Sequence, residues 1–223
     1  MIEDIIEINP FNKIEISFRE PVVLPKTIPI TAIESILVAA YSKLKSSETE
    51  YSKKTSVRDI AVLELLFATG ARVSEICSLT PSSVNLDNHT VKFYGKGSKE
   101  RIIQIENLNV QKALNNYVNV FDEEIKASEY FFVNRLHNRL SEQSVREMIR
   151  KYTKLAEISI HITPHMFRHT FATLLLEEDV DIRYIQRLLG HSSITTTQIY
   201  THVAMSKQKE ILSAKHPRNK IKI

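Results

Sequence analysis

The chain has 223 residues, of which 43% are apolar and 25% charged, an ordinary balance for a globular protein with room for one large domain. No apolar run approaches the roughly 18 residues of a membrane span, so no membrane partner is expected, and the start, with Glu3, Asp4 and Glu7, lacks a basic-then-apolar signal pattern. Cys77 is the only cysteine, which excludes an intrachain disulfide and makes the reducing cytoplasm the expected compartment.

Residues 1–30 form a mixed, extended stretch punctuated by Pro10, Pro21, Pro25 and Pro29, as in a linker. A compact domain is predicted to begin at Thr31, an N-cap with Glu34 completing a capping box. Apolar spacing predicts helices over 31–45 and 57–68, the second with Ile60, Leu63, Leu66 and Phe67 on one side and Gly70 at its end. A third helix is expected from about Arg72 to Leu79, stopped by Pro81. The period then changes. Residues 90–94 and 101–105 read as strands of a hairpin joined by the polar Gly95–Glu100 segment, and 129–133 is a candidate third strand. Helices are expected again at 108–120, 142–156, 164–177, 181–189, 194–200 and 204–213. The expected fold class is therefore α+β, mostly α-helical with a small antiparallel β-sheet.

The net charge is +4 and the pI about 9.0, and the distribution says more than the sum. Lys92, Lys96, Lys99 and Arg101 crowd one segment, and Arg135, Arg139, Arg146, Arg150, Lys151 and Lys154 another. Acids gather at Asp122–Glu124 and at Glu177–Asp181. A basic face of this kind suits a polyanion, although solvated helix faces have the same composition.

Several short stretches carry candidate chemistry. In TPHMFRHTF, Thr163 is a good N-cap and Pro164 fits the first helical position. His165 and Arg168, three apart, then share the first turn at the positive end of a helix, where a phosphate is welcome. Met166 stands where a zinc protease helix has Glu, so no metal is expected at His165 and His169, and a structural role is expected for His169. Arg72 in ATGARVSE presents a planar fork for phosphate oxygens, with Glu75 placed to steady it; an ordinary Arg–Glu helix pair has the same spacing. Lys96, between Gly95 and Gly97, can reach a phosphate or sit in a solvated hairpin. His191 in LGH precedes Tyr200 by nine residues. A tyrosine hydroxyl, with a pKa of about 10, attacks at neutral pH only beside a base or strong positive charge.

Singly, each stretch has an ordinary structural explanation. Together, Arg72, Lys96, His165-x-x-Arg168, Leu189-Gly190-His191 and Tyr200 resemble, in this order, the catalytic set of the tyrosine recombinases, or phage-type integrases. No member of the set is missing. The resemblance covers roughly residues 31–205. It implies the DNA breaking–rejoining fold, with 1–30 as the end of a core-binding domain and interdomain linker, and 206–223 as a basic tail. It also implies transesterification through a 3′-phosphotyrosyl bond to Tyr200, needing neither cofactor, metal nor ATP. Arg72 and Arg168 would grip the non-bridging oxygens, and Lys96 would protonate the leaving 5′-oxygen. His165 would accept the tyrosine proton and His191 donate to a phosphate oxygen, with the choice of base between the two histidines open. Lys99, Arg101 and Arg146 are the expected further DNA contacts.

The implied partner is double-stranded DNA, bound as a homotetramer in the full-length form, with a monomer the alternative for this domain alone. Family members usually carry an N-terminal helical domain that this sequence lacks, and weak, steeply salt-dependent binding is expected in consequence. A type IB topoisomerase, or an accessory module that binds DNA without cutting it, are the competing functions.

Overall fold

The computed structural model describes residues 26–95 and 100–190. Helix α1 (Ile30–Lys45) packs on α2 (Glu50–Thr69), the central element of the domain. Ala61, Val62, Leu63, Leu65 and Leu66 of α2 are all completely buried. A helix apolar on every side must be surrounded, and α1, α4 (Leu108–Val120), α6 (Glu142–Leu155) and α7 (Pro164–Glu177) surround this one. Its two buried acids are paired across that core. Asp59 accepts from Lys151 Nζ at 2.8 Å and Tyr152 Oη at 3.0 Å on α6, and Glu64 accepts from Tyr41 Oη at 2.9 Å on α1.

Two helix starts differ from the sequence reading. Helix α1 begins at Ile30, directly after Pro29, whose carbonyl accepts from Ala32 N and Ile33 N. Thr31 therefore lies inside the first turn and is not the cap; the proline ring has already set the entry angle. Helix α2 starts at Glu50 rather than 57, roughly two turns early. There Thr49 Oγ1 accepts from Ser52 N at 3.1 Å.

The sheet has the antiparallel order β1 (Val84–Asn85), β2 (Thr90–Tyr94), β3 (Glu100–Gln104). Val91 pairs with Ile103 and Phe93 with Arg101, and Val91, Phe93 and Ile103 all point into the core. The expected hairpin is thus present, but the third strand is Val84–Asn85 and not 129–133. Phe131, Phe132 and Val133 are buried core residues in irregular backbone, with an isolated bridge from Val133 to Arg139. Tyr117 Oη holds this stretch by donating to Phe131 O at 2.8 Å and accepting from Val133 N at 3.2 Å.

Helix α3 (Val73–Cys77) follows α2, α5 (Asp122–Lys126) follows α4, and α8 (Ile182–Leu189) follows α7. The incoming chain is fastened to α7: Ile28 is buried, and its N–H donates to Thr170 Oγ1 at 2.7 Å. No described helix is long and apolar enough to cross a membrane. The helices expected at 194–200 and 204–213 lie outside the described residues.

Candidate active site

Helix α2 ends in the left-handed conformation at Gly70, with φ +57°. Glycine is needed there twice over, because a Cβ would also lie 2.6 Å from Phe171 Cδ1. The turn leads through buried Ala71 to Arg72, the N-cap of α3. Arg72 N donates to Glu75 Oε2 at 2.7 Å, and its Nη1 reaches Glu75 Oε1 at 3.1 Å. The Arg72 side chain nevertheless stays 42% exposed.

Arg168 is held differently. It is buried in α7, where Nη1 donates to Gly70 O at 2.9 Å and Nη2 to Leu189 O at 2.7 Å. Carbonyls at helix ends lack a partner within the helix, so the last turns of α2 and α8 supply natural acceptors. His165 lies one turn earlier on α7 with an exposed edge. Arg72, His165 and Arg168 line one cleft of about 320 Å³, together with Arg146. Desolvation at the cleft wall, then the charges of Arg168 and Arg72, hold the His165 pKa below its usual value. The ring is therefore neutral at pH 7 and able to accept a proton. His169 is buried behind it, the two rings edge-to-face at 4.5 Å, with a pKa lowered to about 4 by burial first and then by His165 and Arg168.

Arg72 also lines a second cleft of about 960 Å³, between α3, the β2–β3 hairpin and α8. Lys96, Lys99, His191 and Tyr200 lie outside the described residues. Their chain neighbours mark where two of them attach, however. Gly95 precedes Lys96 and Gly190 precedes His191, and both glycines line this larger cleft.

Glu75 is buried and shared. Its two oxygens also accept Arg101 Nη1 and Nη2, each at 2.8 Å. Burial alone would raise its pKa, but the Arg101 bonds and charge, reinforced by Arg72, bring it below the usual carboxylate range. Arg101, expected to face DNA, is turned inward instead. Its side chain is 9% exposed, its fork is filled by Glu75, and its Nε donates to Leu188 O at 2.7 Å. Arg146 is 46% exposed beside the smaller cleft, 2.8 Å from Glu142. Arg183, Tyr184 and Arg187, absent from the motif residues, are exposed on α8 at the larger cleft. The signal was there: two arginines four apart share a helix face.

A helical domain with a small sheet and two arginines and a histidine gathered in one cleft defines a class, and comparison with known proteins names it. Residues 37–207 match the phage integrase family, and the chain belongs to that family, carrying the catalytic domain of a site-specific tyrosine recombinase. It is 58% identical to a tyrosine recombinase of Agathobacter rectalis over 216 residues, which cover 97% of this chain and 71% of that protein. It is 38% identical to the tyrosine recombinase XerC of Bacillus subtilis over 223 residues, 98% of this chain and 70% of that one. The crystal structure of XerA recombinase superposes with a TM-score of 0.71 at 34% identity, over 89% of this chain and 66% of the other. The chain thus spans about two thirds of the length of these relatives.

Proposed function

We propose that this chain cleaves and rejoins double-stranded DNA by transesterification, with Tyr200 as nucleophile. The observation that carries the proposal is the convergence of Arg72, His165 and Arg168, from two separate parts of the sequence, in one cleft. Arg72 and Arg168 bind the two non-bridging oxygens of the scissile phosphate and offset the charge of the pentacovalent transition state. The Tyr200 oxygen forms a bond to phosphorus while the bond to the 5′-oxygen breaks. The tyrosine proton passes to a histidine, and Lys96 protonates the 5′-oxygen. The neutral state of His165 supports it as acceptor, with His191 donating to a phosphate oxygen. The phosphotyrosyl bond retains the energy of the broken ester, so a 5′-hydroxyl of a second duplex can reverse the step without ATP.

Arg146, exposed beside the cleft, serves as a further DNA contact, together with Lys99. Residues 31–205 form the catalytic unit, preceded by a linker and followed by a basic tail. The working assembly is a tetramer on two duplexes, in the cytoplasm.

A nicked half-site oligonucleotide tests the reaction, since loss of the short cleaved strand traps the adduct. Wild type is expected to give a covalent protein–DNA band, and Tyr200→Phe none. An adduct that persists in the Tyr200→Phe variant overturns the choice of nucleophile.

A further inference from the structure

Arg101 is the residue whose placement departs most from its sequence context. It lies in a basic run beside Lys99, yet its guanidinium is enclosed. An arginine has a planar fork and a separate Nε donor, so it can bond in three directions at once. Here all three are used. Nη1 and Nη2 grip the two oxygens of Glu75, the carboxylate that also holds the backbone and side chain of Arg72. Nε holds the carbonyl of Leu188, three residues before His191. Arg101 itself stands on β3, the strand that receives the loop carrying Lys96. The guanidinium also lies over the Phe93 ring at 4.8 Å, which fixes its plane.

Gly190 fits the same picture. Its φ is +65°, and a Cβ there would lie 3.2 Å from Arg101 Nη1 and 3.3 Å from Cδ. The glycine of the Leu-Gly-His stretch therefore makes room for Arg101 as well as for the turn.

We propose that Arg101 is a positioning residue, one guanidinium that sets Arg72, the Lys96 hairpin and the segment leading to His191 in a common frame. The inference rests on the transesterification proposed above. Arg101 does not touch the phosphate in this role. It acts through Glu75 and Leu188, and a small displacement of any of the three segments lowers the rate of chemistry rather than the affinity for DNA. A lysine keeps the charge but lacks the planar fork and separate Nε that span Glu75 and the Leu188 carbonyl together.

The test is single-turnover adduct formation on the nicked half-site, with the whole chain, for wild type, Arg101→Lys and Arg101→Met. DNA affinity is measured in parallel at several salt concentrations. Adduct formation is expected to slow by about 10²-fold, the cost of a misplaced catalytic group, with affinity and its salt slope unchanged. Among the described residues, Arg72 and Arg101 are the charged groups that face Glu75. In Arg101→Met the buried Glu75 loses its main counter-charge, so its carboxyl titrates higher. The carboxylate limb of the variant's pH–rate profile should then lie at higher pH than that of wild type. Should Arg101→Lys melt below the assay temperature, Glu75→Gln approaches the same link from the other side. It is expected to slow cleavage comparably, and the double variant should be no slower than either single one.

Wild-type cleavage by Arg101→Lys overturns the inference. So does weaker DNA binding with a salt slope reduced by about 1, the mark of a direct phosphate contact. A wild-type chain that gives no adduct, or a Tyr200→Phe variant that does, overturns the proposed reaction instead, so the two failures are distinct.

Discussion

Arg72 and Arg168 bring like charges to one cleft but are anchored in opposite ways, and their substitution should separate stability from activity. Arg168 is buried against two helix-end carbonyls, Gly70 O and Leu189 O. Arg168→Ala strands both acceptors and leaves a void, so a loss on the order of 2–4 kcal/mol is expected. Arg72 is 42% exposed, and its backbone N–H, which alanine keeps, makes the shorter bond to Glu75. Arg101 would still neutralise Glu75. Arg72→Ala is therefore expected to change stability by less than about 1 kcal/mol. Both should lower adduct formation by at least about 10²–10³. Urea denaturation beside the cleavage assay checks the contrast, and equal stability losses would show that the anchoring is misread. Little of this anchoring was legible in the sequence. An arginine in a basic run looks solvated, and nothing local shows that Arg101 finds Glu75, 26 residues away, as its partner. Arg72 beside Glu75 was legible as a pair, because one helical turn brings them together.

Helix ends decide where the site groups sit. The left-handed turn at Gly70 does three things: it ends α2, leads to Arg72, and offers a carbonyl to Arg168. Gly70→Ala puts a Cβ 2.6 Å from Phe171 Cδ1 at φ +57°. The backbone strain is about 1 kcal/mol and the overpacking roughly 1–3. A loss of about 2–4 kcal/mol is expected, with slower adduct formation at temperatures where the variant remains folded. A variant as stable and as active as wild type would refute this account of the turn. Elements with local punctuation were legible. Pro164 opens α7 and Gly70 closes α2, both as the sequence suggests, although Thr163 holds the N-cap position without a side-chain capping bond. The first turns of α2, Glu50–Ser56, were not, because they are polar in composition and owe their place to the Thr49 cap and to packing. Residues 129–133 misled for the converse reason. Phe131, Phe132 and Val133 have strand composition, but pairing needs a free edge. The Tyr117, Phe131 and Phe132 rings cluster instead, with centroids about 5 Å apart.

At the scale of the molecule, the buried polar groups set a pH dependence. His169 has a folded pKa of about 4, against about 6.5 when exposed in the unfolded chain. As pH falls through that window the unfolded chain takes up a proton that the folded one refuses. This contribution to stability is intact above pH 6.5 and lost on acidification, reaching about 3 kcal/mol by pH 4. Denaturation midpoints measured from pH 8 to 4.5 should fall less steeply for His169→Gln than for wild type; parallel curves would remove His169 as the cause. The overall architecture, helices around a small hairpin sheet, was legible because apolar periodicity survives in composition. The convergence of Arg72 with His165 and Arg168 was legible only from the joint motif, because each residue alone is ordinary. Two long-range contacts bear on how such a protein is made. Ile28 at the entry to the domain is tied to Thr170, 142 residues later, and Arg101 to Leu188 across 87. A ribosome delivers these partners far apart in time, and bonds between them close slowly. A half-made chain holds Arg72 and Arg101 without the helix that brings Arg168. The cleft that Arg72 shares with His165 and Arg168 is thus completed only once α7 has been synthesised.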